Sequence, residues 1–129
     1  MTPLDSGAWP WVLAGSAIGG MARYWLSGLV ARHVGETFPW GTLVVNVSGA
    51  LLVGLLFGAF STGAAPVPVA LMHLVVVGFL GSYTTVSSFS LQTLQLARNG
   101  QWLPAAGNAM LSAGLCLGAA WLGFRVMTV

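Results

Sequence analysis

Gly78-Phe79-Leu80-Gly81-Ser82-Tyr83-Thr84-Thr85-Val86-Ser87-Ser88-Phe89-Ser90 lies mid-chain within apolar sequence, yet six of the nine residues from Ser82 to Ser90 are Ser or Thr. In a soluble protein such a run reads as an ordinary loop. Here no Asp, Glu, Lys or Arg occurs between Glu36 and Arg98, so the run is carried into a membrane. Hydroxyls and freed backbone groups have no water to bond there, and a polar patch at that depth points to a use.

The rest of the chain supports that setting. Its 129 residues are 57% hydrophobic and 5% charged, with a mean hydropathy of +0.87, which places it among membrane proteins of one domain. Four Arg and no Lys stand against Asp5 and Glu36, too few basic groups for a nucleic-acid surface. The single cysteine, Cys116, excludes an internal disulfide and a Cys-based metal cluster and reads as a small buried hydrophobe. No basic n-region or small-residue cleavage site precedes the first apolar segment, which is therefore expected to remain as a span.

Four spans are expected within 1–129, at about 9–30, 41–60, 69–96 and 104–127, the first covering about 33 Å. Gly15 and Gly19 in the first form a small-xxx-small pair for close helix approach. Arg23 costs on the order of 2.5–3.5 kcal/mol at a helix centre. Either it snorkels to headgroups, or its buried guanidinium bonds carbonyls or attracts an anion. In the second span, Thr42 and Asn46 share a face; Asn46 serves an interhelical hydrogen bond or aims its amide into a polar pathway. Gly54 and Gly58 offer a second close-packing face.

The third span is about 42 Å long as one helix, more than a bilayer needs, so a break is expected between Gly78 and Thr84, where Gly78 and Gly81 are followed by the adjacent Thr84 and Thr85 and side-chain hydroxyls can satisfy freed backbone groups. Broken helices at membrane depth expose carbonyls and N–H groups that can hold ions. Beyond the break, Thr85, Ser88, Phe89 and Gln92 fall on one helical face. Asn108, Ser112 and Cys116 form a second stripe on the fourth span, where Gly114 and Gly118 permit further close packing. The tryptophans near the segment ends, and His73, read as interfacial. His33 reads as a loop histidine.

The available chemistry is narrow. Carboxylate pairs and a Ser-His-Asp arrangement are excluded, so no enzyme is expected. What remains is a set of neutral donors, one guanidinium and the positive edge of Phe89, which together suit a small anion. Four short helices cannot enclose a path alone. A homodimer is expected, and the weak arginine bias between the two faces permits inverted subunits.

Three motifs, Gly19-Gly20-Met21-Ala22-Arg23, Phe38-Pro39-Trp40-Gly41-Thr42-Leu43-Val44-Val45-Asn46 and the opening stretch, resemble in order and separation the Fluc/CrcB fluoride channels. The likeness spans nearly the whole chain. It implies an all-α membrane protein of four transmembrane helices, the third broken mid-membrane, assembled as an antiparallel dual-topology homodimer in the bacterial inner membrane. Such a protein exports toxic cytoplasmic fluoride passively.

Residue by residue, the resemblance implies a structural role for Arg23 and pore or anion-binding roles for Asn46, Thr85, Val86, Ser87, Ser88, Phe89 and Ser112. It also implies a structural sodium ion at the dimer interface, held by backbone carbonyls of Gly81 and Thr84. Carbonyl oxygens are suitable ligands for a hard cation. The sequence departs from the family pattern where Val86 replaces the first ring of a phenylalanine pair, Gln92 a common Glu, and Asn108 a frequent Tyr. Two alternatives stand beside the channel: an altered or non-conducting subunit of a heteromeric channel, and a small multidrug exporter. The exporter requires an intramembrane carboxylate, which the sequence lacks.

Overall fold

The computed structural model describes residues 7–63 and 66–129, which are almost entirely helical. Asp5 and part of the expected turn at Ser61–Pro68 lie outside the described residues.

Helix α1 (Trp9–Val34) begins with a proline in its first turn, where a missing N–H costs nothing. It runs past the expected end at Val30, so Arg32 and His33 belong to its last turn rather than to a loop. Arg32 Nε donates to the Gly28 carbonyl at 3.3 Å, and His33 Nδ1 lies 2.8 Å from the Leu29 carbonyl. Cations are favoured at a helix C-terminus, where unpaired carbonyls collect. Gly35 ends the helix at φ 91°.

Helix α2 (Trp40–Ser61) packs along α6 (Trp102–Thr128). The expected Gly54 and Gly58 face lies in this contact. A Cβ on Gly58 would sit 2.8 Å from the Phe124 carbonyl oxygen, and one on Gly123 would sit 2.8 Å from the Leu55 nitrogen. Backbone thus meets backbone, the arrangement small residues permit in membrane bundles.

Between these helices come α3 (Val69–Met72), a π-helical segment His73–Leu80, α4 (Gly81–Tyr83) and α5 (Val86–Arg98). Gly15 and Gly19 of α1 lie against the Leu74 and Phe79 backbones, and a Cβ on Gly78 would meet the Val12 carbonyl oxygen at 2.7 Å. His73, expected at the interface, is instead buried at 8% exposure, because it heads the segment against which α1 packs.

The helical path is interrupted at Thr84 (φ −81°, ψ 154°) and Thr85 (φ −149°, ψ 121°). Within the stretch expected to break, Gly78 and Gly81 are both helical and the adjacent threonines carry the break. The contact with α1 requires a missing side chain at Gly78, whereas the β-branched Thr pair accepts extended backbone readily.

Asn99 and Gly100 end α5: Gly100 N–H bonds the Ala97 carbonyl at 3.1 Å and Gln101 N–H the Leu96 carbonyl at 2.9 Å, with Gly100 at φ 77°. On α6, Cys116 is half-buried rather than fully enclosed. Among the described residues, three helical runs are long and apolar enough to cross a membrane by length and composition: Trp40–Ser61, Val69–Arg98 and Trp102–Thr128.

Candidate functional site

The interruption at Thr84–Thr85 frees backbone groups that must be satisfied inside the structure. Asn46 does this from α2. Its Nδ2 donates to the Thr85 carbonyl and its Oδ1 accepts from the Thr85 N–H, both at 2.8 Å. The side-chain amide acts as a one-residue strand partner for extended backbone. The interhelical role considered for Asn46 is therefore filled, and one Nδ2 proton remains uncommitted.

Thr85 then caps α5, its Oγ1 accepting from the Ser88 N–H at 3.1 Å. The same hydroxyl donates to Ser88 Oγ at 3.3 Å and lies 3.1 Å from Ser87 Oγ. Because Thr85 has one proton and gives it to Ser88, Ser87 donates to Thr85, and the Ser88 proton is committed to neither bond.

That free proton borders a cavity of about 260 Å³ lined by Gly20, Arg23, Tyr24, Ser27, Thr42, Thr85 and Ser88. Arg23 is half-buried there, and its guanidinium shares the space with three side chains from α1 and α2 that end in hydroxyls. A larger groove of about 1250 Å³ continues outward between α1, the start of α2 and α5, with Arg32, Gln92, Gln95 and Asn99 among its lining. A fixed cation with neutral donors in a recess raises the local concentration of small anions and offers them replacement hydration.

Of the expected site residues, Arg23, Thr85 and Ser88 share this cavity, while Asn46 braces it from behind through Thr85. Val86, Ser87, Phe89 and Ser112 do not line it. Val86 is 77% exposed in the single chain. Ser112 donates to Asn108 Oδ1 at 3.5 Å, and Phe89 is half-buried on α5. Thr42 and Ser27 join the cavity without having been assigned a site role. Their spacing offered a signal: Ser27 follows Arg23 by one helical turn and Thr42 precedes Asn46 by one.

Tyr83 adds a brace below the interruption. Ser48 Oγ donates to the Val45 carbonyl at 3.0 Å, so Tyr83 donates its own proton to Ser48 at 2.8 Å. Its ring stacks on Phe79 with centroids 5.5 Å apart.

The carbonyls of Gly81 and Thr84 lose their usual helical donors at the interruption. The Thr85 N–H that would reach Gly81 goes to Asn46, and the Ser88 N–H that would reach Thr84 goes to Thr85 Oγ1. Both are neutral oxygens, one on an exposed residue and one on a half-buried residue, of the kind a hard cation accepts as ligands. Among the described residues no group of three or more His, Cys, Asp or Glu is placed to hold a metal ion.

The family described as "CrcB-like protein, Camphor Resistance (CrcB)" matches residues 10–124, which takes in all of the cavity and its braces. The chain belongs to this CrcB-like family. Among its relatives, "Fluoride-specific ion channel FluC 2" of Bradyrhizobium diazoefficiens is 56% identical over 118 residues, 88% of this chain and 83% of the relative. "Fluoride-specific ion channel FluC 2" of Rhodopseudomonas palustris is 55% identical over 125 residues, 92% of this chain and 91% of the relative. "Fluoride-specific ion channel FluC" of Opitutus terrae is 52% identical over 118 residues, covering 88% and 86%. Such coverage makes the CrcB-like likeness one of whole chains rather than of a shared motif.

Proposed function

We propose that this chain is a passive fluoride channel of the bacterial inner membrane that protects the cell by letting cytoplasmic fluoride out. The observation that carries the reading is the agreement between relatives named as fluoride-specific channels and a cavity that places Arg23 among hydroxyl donors.

In this reading Arg23 holds positive potential in the recess, Ser88 and Thr42 donate hydrogen bonds to the entering anion, and Ser27 does so by giving up its 3.3 Å bond to the Tyr24 carbonyl. Fluoride is small, so it gains more than larger halides from short hydroxyl contacts, and several weak sites in series let it leave again. Phe89 and Ser112 line the path further in, the ring edge carrying the positive part of its quadrupole.

Four spans are proposed, with α1 as the first: its 26 residues cover about 39 Å even though Arg23 lowers its apolar character. The interruption at Thr84–Thr85 then lies at membrane depth. The functional unit is an antiparallel dual-topology homodimer, which a half-open groove and a Val86 directed away from its own protomer support. Gly81 and Thr84 from each copy would hold a central sodium ion, which would neutralise their carbonyl dipoles and fix the interruption in place.

Proteoliposomes loaded with fluoride and chloride and shunted with a potassium ionophore are expected to lose fluoride rapidly and retain chloride. Retention of both would sink the reading. A second reading, an altered subunit of a heteromeric channel, is favoured by one observation: the exposed Val86 supplies no ring edge to a partner. Full activity of the chain reconstituted alone would remove it.

A further inference from the structure

We infer that Asn108 is a positioning residue that sets the orientation of Phe89 through Thr93; this rests on the channel reading above. Asn108 is a large polar side chain at only 2% exposure. Its Nδ2 donates to Thr93 Oγ1 at 2.8 Å, and Thr93 Oγ1 in turn donates to the Phe89 carbonyl at 2.7 Å. The Ser112 hydroxyl donates to Asn108 Oδ1 at 3.5 Å, so the relay runs Ser112, Asn108, Thr93, Phe89 across two helices.

Helix α5 has little else to hold it. Leu96 is its one buried residue, and it packs chiefly on α6 with a small contact to α2. At its start the Asn46 amide clasps Thr85. One turn beyond Phe89, the Asn108 bond is the one side-chain hydrogen bond joining α5 to α6 among the described residues. The two asparagines therefore bracket Phe89, one on each side.

A threonine that bonds back to the carbonyl four residues earlier bends its helix locally. A donor held against that threonine polarises its hydroxyl and strengthens the back-bond. The pitch of α5 at Phe89, and so the direction of the ring, follows from Asn108. The same network commits the Ser112 proton inward, which makes Ser112 a support of the relay before it is a donor to any anion.

The test uses Thr93→Val, Thr93→Ser, Asn108→Leu and the Thr93→Val/Asn108→Leu double variant in fluoride- and chloride-loaded proteoliposomes. Thr93→Val and Asn108→Leu are each expected to lower fluoride efflux about tenfold and to reduce fluoride-over-chloride selectivity, as a modest shift in transition-state geometry would. The double variant should fall no further, because both changes cut one relay, and Thr93→Ser should keep near-wild-type behaviour. Thr93→Val carries the test if Asn108→Leu fails to assemble. Unchanged efflux and selectivity in Thr93→Val, or fully additive losses in the double variant, overturn the inference while an active wild type leaves the channel reading intact. A silent wild type overturns both.

Discussion

The α2–α6 and α1–π-segment contacts differ in kind from the attachment of α5. The first two are backbone laid on backbone through Gly54, Gly58, Gly123, Gly15, Gly19 and Gly78. α5, which carries Ser88 and Phe89, hangs from two asparagine hydrogen-bond clasps and one buried leucine. Close packing tolerates no added atom, whereas a hydrogen-bonded clasp tolerates volume but not a lost donor. The scaffold and the site therefore fail in different ways, and substitutions should separate them.

The largest effect is expected at the scaffold. In Gly19→Leu the new side chain meets the Phe79 backbone, which cannot rotate away as a flexible side chain would. Overpacking against backbone costs roughly 3 kcal/mol or more, so folded protein should be nearly lost from detergent extracts by size-exclusion chromatography. A well-folded Gly19→Leu channel would mean that α1 and the π-segment move apart freely.

At the clasp the expected balance reverses. Asn46→Leu leaves the Thr85 N–H and carbonyl unpaired at the interruption, a loss of about 2 kcal/mol on the scale of interhelical bonds and orphaned backbone groups. Folded protein should survive with a lowered melting temperature, while fluoride efflux should fall far more than stability. Equal loss of both would place Asn46 with the scaffold.

Val86→Phe tests the site without touching either. Val86 is the first residue of α5 and is largely exposed, so most of an added ring can extend away from the packed interior. An added ring presents the positive edge of its quadrupole to an anion that reaches it, which predicts efflux or selectivity changed by up to about tenfold, roughly 1.4 kcal/mol, and an unchanged melting temperature. Unchanged flux would argue that Phe89 alone suffices.

The glycine pairs on α1 and α2 were legible because helical spacing is local: Gly15 with Gly19 and Gly54 with Gly58 can be read off one segment. Arg23 was legible as a cost that had to be offset. What the sequence hid was non-local. Asn46 and Thr85 stand 39 residues apart, and nothing near Asn46 shows that both ends of its amide are taken by one backbone unit. The sequence points to a break between Gly78 and Thr84, because glycine lowers helix propensity and hydroxyls can satisfy freed backbone groups; packing against Val12 and Gly15 needs Gly78 for its missing side chain, so the break falls at the threonine end of that stretch. His73 was read as interfacial from its position along the segment, which cannot reveal which neighbour covers it.

The smallest effect is expected at the glycines of α6 that α2 does not use. Gly107, Gly114 and Gly118 recur at seven and four residues and so share one face, and a Cβ on any of them would meet nothing within 4 Å. By spacing Gly114 and Gly118 read as close-packing positions, yet within the single chain they pack on nothing. Gly118→Ala should therefore leave efflux unchanged and raise the melting temperature slightly, since alanine gains roughly 0.5–1 kcal/mol over glycine in a helix interior. A fall in melting temperature that disappears when the protein is driven to monomers by excess detergent would place a second copy against that face. The glycine-built contacts within the chain, which also include Gly41 against the Ser27 backbone, would then have a counterpart between two copies, while α5 stays held by hydrogen bonds.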